Sequence, residues 1–253
     1  LHLLSRRQRQ MCIRDRYGTC WAFASLTAVE TSLMPEEKYD FSEDNMVWNS
    51  GYFGAQYDGG DYTRAISYLA SWRGPVLEED DVYGDGINNP DAGVVKHVQE
   101  AQIIESKNLE AVKKAVFLYG GVESSLYTSM SYAGERSMYY NDKNYSYCYI
   151  GTKKPNHDVV IIGWDDNYSK DNFSVSLEGN GAFICVNSWG DSFGDDGLFY
   201  VSYYDSNIGI HNVVYTRVED NDNYDNIYQS DLCGWVGKMG YDKEDMYLSL
   251  IHI

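Results

Sequence analysis

The sequence predicts an α+β chain of two lobes, with helices first and strands later. Three observations carry that expectation. The early part holds apolar stretches of helical length with recognisable helix starts. After residue 120 come short runs rich in β-branched and aromatic residues, each bounded by Gly, Asn or Asp. The composition, 43% hydrophobic and 23% charged over 253 residues, excludes a largely disordered chain and is enough for a sizeable core. Helices followed by strands imply two segregated layers rather than alternating βαβ units.

Residues 20–33 (CWAFASLTAVETSL) are apolar or small nearly all round, which predicts a buried helix rather than an amphipathic one. Met34-Pro35 ends it, because the residue before proline avoids the helical region. Ser42-Glu43-Asp44 reads as a cap and an acidic first turn for a helix over 42–57. Further helices are expected over about 61–72 and 107–119, the latter on the stripe Leu109, Val112, Val116 and Leu118. Strands are expected from Val122 onward, over Asp158–Trp164, Ala182–Val186, Leu198–Tyr204 and Val213–Val218. Residues 219–226 (EDNDNYDN) read as an acidic linker; their spacing matches no EF-hand loop.

Charge narrows the function classes. Twenty Lys and Arg against 38 Asp and Glu give −18, which disfavours nucleic acid and anionic membranes as partners. No apolar run reaches the roughly 20 residues that span a bilayer, so membrane insertion is not expected. Residues 1–16 differ from the rest: five arginines and one aspartate give them +4, which leaves −22 on residues 17–253. Met11-Cys12-Ile13-Arg14-Asp15-Arg16 and the closing Leu248-Ser249-Leu250-Ile251-His252-Ile253 look like translated sequencing-adapter read-through. We therefore expect a fragment with non-native ends, the head being residues 1–16. The five cysteines form no CxxC pair and no Cys/His zinc spacing, so no metal site is expected.

Three segments carry chemistry. Cys20 opens the buried helix, where the dipole and unpaired N–H groups favour a thiolate. His157 opens the apolar run DVVIIGW, at the mouth of a strand buried on both faces. Asn187 follows the apolar strand FICV and precedes Ser188-Trp189-Gly190. Each alone is an ordinary structural residue: a core thiol, a hydrogen-bonded histidine, a turn-making amide.

Together they resemble the papain family of cysteine peptidases. The CWAF start, a histidine 137 residues downstream and the NSWG segment 30 residues after that follow the family's order, and the resemblance covers about residues 17–218. Asp58-Gly59-Gly60 and Gly74-Pro75-Val76 are similar to the family's glycine-bearing cleft wall and its sequel. The resemblance implies a papain-like two-lobed fold, the nucleophile helix in a helical lobe and His and Asn in a β-barrel-like lobe. It implies Cys20 as nucleophile, His157 as base and later acid, and Asn187 as orienter of the imidazole. Trp189 would shield that hydrogen bond, with Trp21 in support, and Gly59 and Gly60 would admit an extended substrate backbone. An imidazolium beside Cys20 would lower its pKa, and the chemistry would need no cofactor and no metal.

Two positions depart from the pattern. The family places an oxyanion-binding Gln six residues before the nucleophile, where this chain has Arg14, inside the head read as non-native. Tyr17 stands where papain-like enzymes often have a disulfide cysteine, which sets aside any carry-over of that pairing. The segment NYDNIYQ with Gly234-Trp235 is similar to the start of the lectin-like β domain that follows the peptidase in some bacterial and archaeal surface proteins. Residues 227–253 are thus expected to open such a domain, which implies an extracellular or cell-surface setting and possible cell-wall or carbohydrate contact. The expected activity is endopeptidase cleavage of a protein or peptide substrate. Acyl transfer by the same triad, or a catalytically impaired scaffold, are the alternatives. The stretch Tyr203–Asn207 is a candidate lining for the specificity pocket.

Overall fold

The structure, a computed structural model, describes residues 18–51 and 59–226. The first helix, α1 (Cys20–Leu33), spans the predicted residues, and every side chain from Trp21 to Glu30 is buried. A helix without a polar face has no option but to lie in the middle of the molecule. Two short helices pack near it, α2 (Glu43–Asn49) and α3 (Tyr62–Ala70). Helix α2 is capped as predicted, with the Ser42 hydroxyl accepting from the Asn45 N–H, but it stops at Asn49 rather than 57. Gly51 follows with φ +84°, a left-handed turn that ends the helical run. Helix α3 starts at its cap Asp61, whose carboxylate accepts from the Thr63 N–H.

Strand β1 (Lys96–Ile104) was not expected from the sequence. Its KHVQEAQII run is too polar to read as a strand, because only Lys96, His97 and Val98 are buried and the rest is largely exposed. Helix α4 (Leu109–Tyr119) then leads into β2 (Val122–Leu126), followed by the short β3 (Tyr140–Asn141) and β4 (Ser146–Tyr147). Strands β5 (His157–Asp165), β6 (Ala182–Val186), β7 (Leu198–Ser202) and β8 (Asn212–Asp220) complete an eight-stranded sheet of order β1-β8-β2-β5-β6-β7-β4-β3. The last strand runs through Asp220, paired with Lys96, so Glu219 and Asp220 of the acidic stretch lie in the sheet. Residues 227–253 fall outside the described residues, as does the head.

Two cores divide the molecule. One gathers Trp21, Leu26 and Val29 of α1 with Phe41, Met46, Tyr68 and Leu69 of the helical lobe. The other fills the β lobe with Leu126, Tyr147, Ile161, Phe183, Trp189 and Phe199. Helix α1 bridges them, since Val160 and Val213 of the sheet join its cluster. Full burial of side chains such as Leu26 and Ile161 stabilises by about 1.5–3 kcal/mol each.

The junction between α4 and β2 sets how α1 meets the sheet. The Gly121 N–H donates to the Thr31 hydroxyl at 2.8 Å, so the end of α1 anchors the start of β2. Gly120 sits at φ +99°, and a Cβ there would lie 2.7 Å from the Thr31 carbonyl oxygen. Both conformation and space therefore demand glycine. We predict that Gly120→Ala costs about 1–3 kcal/mol, read as a lower urea midpoint with an unchanged m-value. An unchanged midpoint would show that α1 and β2 are not locked through this turn.

Candidate active site

Cys20 lies at the first position of α1, partly exposed, while Cys148 and Cys185 are buried free thiols. No side chain caps this helix and its first turn holds no acid. The hydroxyl of Thr19 at the cap is engaged elsewhere, 2.8 Å from the Tyr83 phenol oxygen. The positive end of the helix dipole therefore acts on Cys20 itself. Its sulfur accepts from the backbone N–H of Trp21 and from that of Asp158. The second contact sets the nucleophile against the first residues of β5, next to His157.

His157 is held on the other side. Its Nε2 lies 2.8 Å from the Asn187 amide oxygen, and both residues are buried. That oxygen also accepts from the Ser188 N–H at 2.8 Å, so it can only be an acceptor and Nε2 must carry a hydrogen. In the neutral ring the lone pair is then on Nδ1. Trp189 stacks on the imidazole at 5.0 Å between centroids and 28°, covering the His157–Asn187 bond with an apolar face. Strand pairing places these residues: β5 and β6 run antiparallel, and the chain leaves β6 at Val186 directly into Asn187.

The glycine wall has local causes. Gly59 adopts φ +73°, and a Cβ on Gly60 would sit 2.5 Å from the Trp21 ring. Arg64 fixes this arrangement, donating from Nη1 to the Gly59 carbonyl at 3.0 Å and lying 4.8 Å over the Trp21 ring. The same guanidinium donates to Ser50 Oγ and the Val47 carbonyl, so one buried cation ties α2, α3 and the glycine wall together.

Carboxylates crowd the opposite side of the thiol. Glu123 of β2 is buried and accepts from the Ser25 hydroxyl of α1 at 2.6 Å. Asp158 accepts from the Ser125 hydroxyl at 2.6 Å, across the register pair Ser125–Asp158. Burial, then the charge of Asp158, push the Cys20 thiol up to about 12, with Glu123 adding to the rise. Burial also drives His157 down to about 4, opposed only by its bond to Asn187. Burial thus opposes each charge taken alone, while an imidazolium beside a thiolate offsets that cost for both, so the two titrate as one pair.

A family profile described as "Papain family cysteine protease" matches residues 6–218. The chain belongs to the papain family of cysteine proteases. The match begins inside the arginine-rich head and ends before the acidic stretch. A solved clostridial cysteine protease, Cwp84 after propeptide cleavage, superposes with a TM-score of 0.72 at 33% identity, over 81% of this chain and 54% of that one. A second structure holds the cysteine protease and lectin-like domains of Cwp84, described as a surface layer associated protein of Clostridium difficile, with a TM-score of 0.71 at 32% identity, covering 81% of this chain and 48% of that one. Among curated relatives, falcipain-3 of Plasmodium falciparum is 28% identical over 187 residues, 71% of this chain and 36% of the relative. A cysteine protease of Blomia tropicalis is 27% identical over 215 residues, 78% of this chain and 58% of the relative. The chain thus spans roughly a third to three-fifths of the curated relatives it matches.

In this papain-family chain the fold sets Cys20 against the Asp158 N–H at the start of β5, next to His157, which pairs with Asn187 under Trp189, while Gly60 packs on Trp21. Arg14 and Tyr17 lie outside the described residues. Tyr203–Asn207 serves the turn before β8, where the buried Asp205 accepts from the Tyr149, Asn207 and Ile208 N–H groups. Arg64, Glu123 and Asp158 were not singled out from the sequence. The available signal was an acid inside each apolar strand run, VESSL and HDVVII, where charge is out of place.

Burial raises Glu123 well above the usual carboxylate range, and Asp158 to about 6. Groups with a raised folded pKa contribute stability below their unfolded value and lose it as pH rises through the folded one. Glu123→Gln keeps an acceptor for Ser25 while removing the charge. The variant should melt higher than the parent at pH 8, with the gap closing toward pH 4.5, measured by calorimetry. A gap that widens on acidification would reverse the sign and sink the assignment.

Proposed function

We propose that this chain is a cysteine endopeptidase that cleaves peptide bonds of protein or peptide substrates through an acyl-enzyme. The observation that carries the reading is the His157 Nε2–Asn187 bond under Trp189, beside a thiol at a helix N-terminus. The bond to Asn187 leaves Nδ1 as the basic nitrogen. The Cys20 thiolate, paired with the His157 imidazolium, attacks the scissile carbonyl. The Cys20 backbone N–H, at the first position of α1, binds the developing oxyanion. The C–N bond breaks as His157 returns the proton to the leaving amine. Water, deprotonated by His157, then hydrolyses the thioester and frees Cys20.

Asn187 acts by orientation. Its amide holds the ring without adding a buried negative charge, which matters where Asp158 and Glu123 already oppose the thiolate. Gly59 and Gly60 offer a wall free of side chains, suited to pairing with an extended peptide backbone. The similarity to a surface layer associated clostridial protease supports an extracellular or cell-surface setting. Residues 227–253 would open a lectin-like domain with carbohydrate contact.

A thiol-directed electrophile should label Cys20 before Cys148 and Cys185, and His157→Ala should remove that preference. Equal labelling of all three thiols, followed by mass spectrometry of the digest, would count against an activated nucleophile. Asn187→Ala should lower kcat/KM on a peptide substrate about 10–100-fold, the cost of about 1–3 kcal/mol for one lost positioning bond. Full activity in that variant would remove Asn187 from the mechanism.

A further inference from the structure

The carboxylate of Asp158 has no role in the reaction as described, yet it acts directly on the nucleophile. It is the largest charge acting on Cys20, and its own backbone N–H holds the sulfur. Asp158 is only half-buried at the start of β5, whereas its neighbours His157 and Val159 are buried. Its side chain is fixed by the Ser125 hydroxyl at 2.6 Å, one hydrogen bond to a group that can accept several. Asp61 stands exposed at the start of α3, directly after the glycine wall. Asp61 is the charge that acts on Asp158, and among the described residues no lysine or arginine offsets it.

This inference rests on the endopeptidase reading: we propose that Asp158, with the charge of Asp61 acting on it from the start of α3, selects a substrate whose side chain next to the scissile bond is a lysine or an arginine. A peptide lying along Gly59 and Gly60 would carry a side chain past Asp61 toward the Asp158 carboxylate beside Cys20. An apolar side chain placed there leaves both negative charges uncompensated in a partly dry cleft. A cationic one pairs with Asp158 and also removes the charge that opposes the thiolate, so the cation assists binding and attack together. The groups that face Asp158 are Cys20 on α1, Glu123 and Ser125 on β2, Asp61 at α3 and the adjoining His157. Burial raises Asp158 to about 6, so its negative charge is complete above that pH and fades below it. Changes in Cys20 or His157 alter every substrate alike and cancel in a ratio of two substrates.

The test uses the full chain and matched quenched peptides that carry Lys, Arg, norleucine or Leu at each of the three positions before the cut bond. At pH 7.5 one position should favour Lys or Arg over norleucine by about tenfold or more in kcat/KM, the worth of one charged hydrogen bond. That ratio should fall toward unity at pH 5. It should fall about as far in Asp158→Asn, through both KM and kcat, and be kept by Asp158→Glu. Asp61→Asn gives a second reading should Asp158→Asn fail to fold, and the pH series needs no variant. Norleucine cleaved as well as Lys at every position, or a ratio unmoved by both variants and by pH, overturns the inference while leaving the endopeptidase reading intact. No cleavage of any peptide together with no selective labelling of Cys20 overturns that reading, and this one with it.

Discussion

Burial of α1 on all sides is the constraint on which the site depends. With Trp21 to Glu30 all inside, the helix cannot tilt or slide without exposing apolar surface on one face or another. Its first residue is then delivered to a fixed place, where the helical lobe meets the sheet. Polar contacts pin its length: Ser25 to Glu123 near the start and Thr31 to the Gly121 N–H near the end. Both partners sit at the start of β2, and β2 pairs with β5, which begins at His157. One helix and one strand pair thus fix the distance from thiol to imidazole, and the remaining elements support them.

The electrostatics of this arrangement pull in two directions. The helix N-terminus and two backbone N–H donors favour negative sulfur, while burial, Asp158 and Glu123 oppose it. Burial likewise disfavours the imidazolium. The thiolate and the imidazolium therefore depend on one another, each offsetting the cost of charging the other. A site of this kind ties its reactivity to what occupies the cleft, because a bound group changes both the dielectric and the charge around the sulfur. Arg64 is the counterpart on the helical side, where a buried guanidinium satisfied by Ser50, Val47 and Gly59 holds the glycine wall under Trp21.

Helix boundaries were legible where the local code is strong. The all-apolar CWAFASLTAVETSL and the Met34-Pro35 stop predicted α1 to the residue, and the Ser42 cap predicted the start of α2. The end of α2 was not, because Asn49 to Gly51 yields to a left-handed turn that propensity over 42–57 does not reveal. Strand β1 was invisible for a related reason. Its outer half faces solvent, and its place in the sheet comes from antiparallel pairing with β8, a partner more than a hundred residues away.

The sequence by itself determined the reacting groups: Cys20 at a helix start, His157 and Asn187 at the mouths of apolar strands, in family order. Those signals are local, written in residue type and spacing, so no coordinates were needed to read them. The tertiary structure alone decided how those groups are charged and what stands around them. Glu123 and Asp158 lie on different strands and become neighbours of the thiol, and Asp61 comes to act on both, only when β2, β5 and α3 converge. Burial and through-space charge depend on distances that no spacing along the chain encodes, and here they act against the negative sulfur that the helix N-terminus favours.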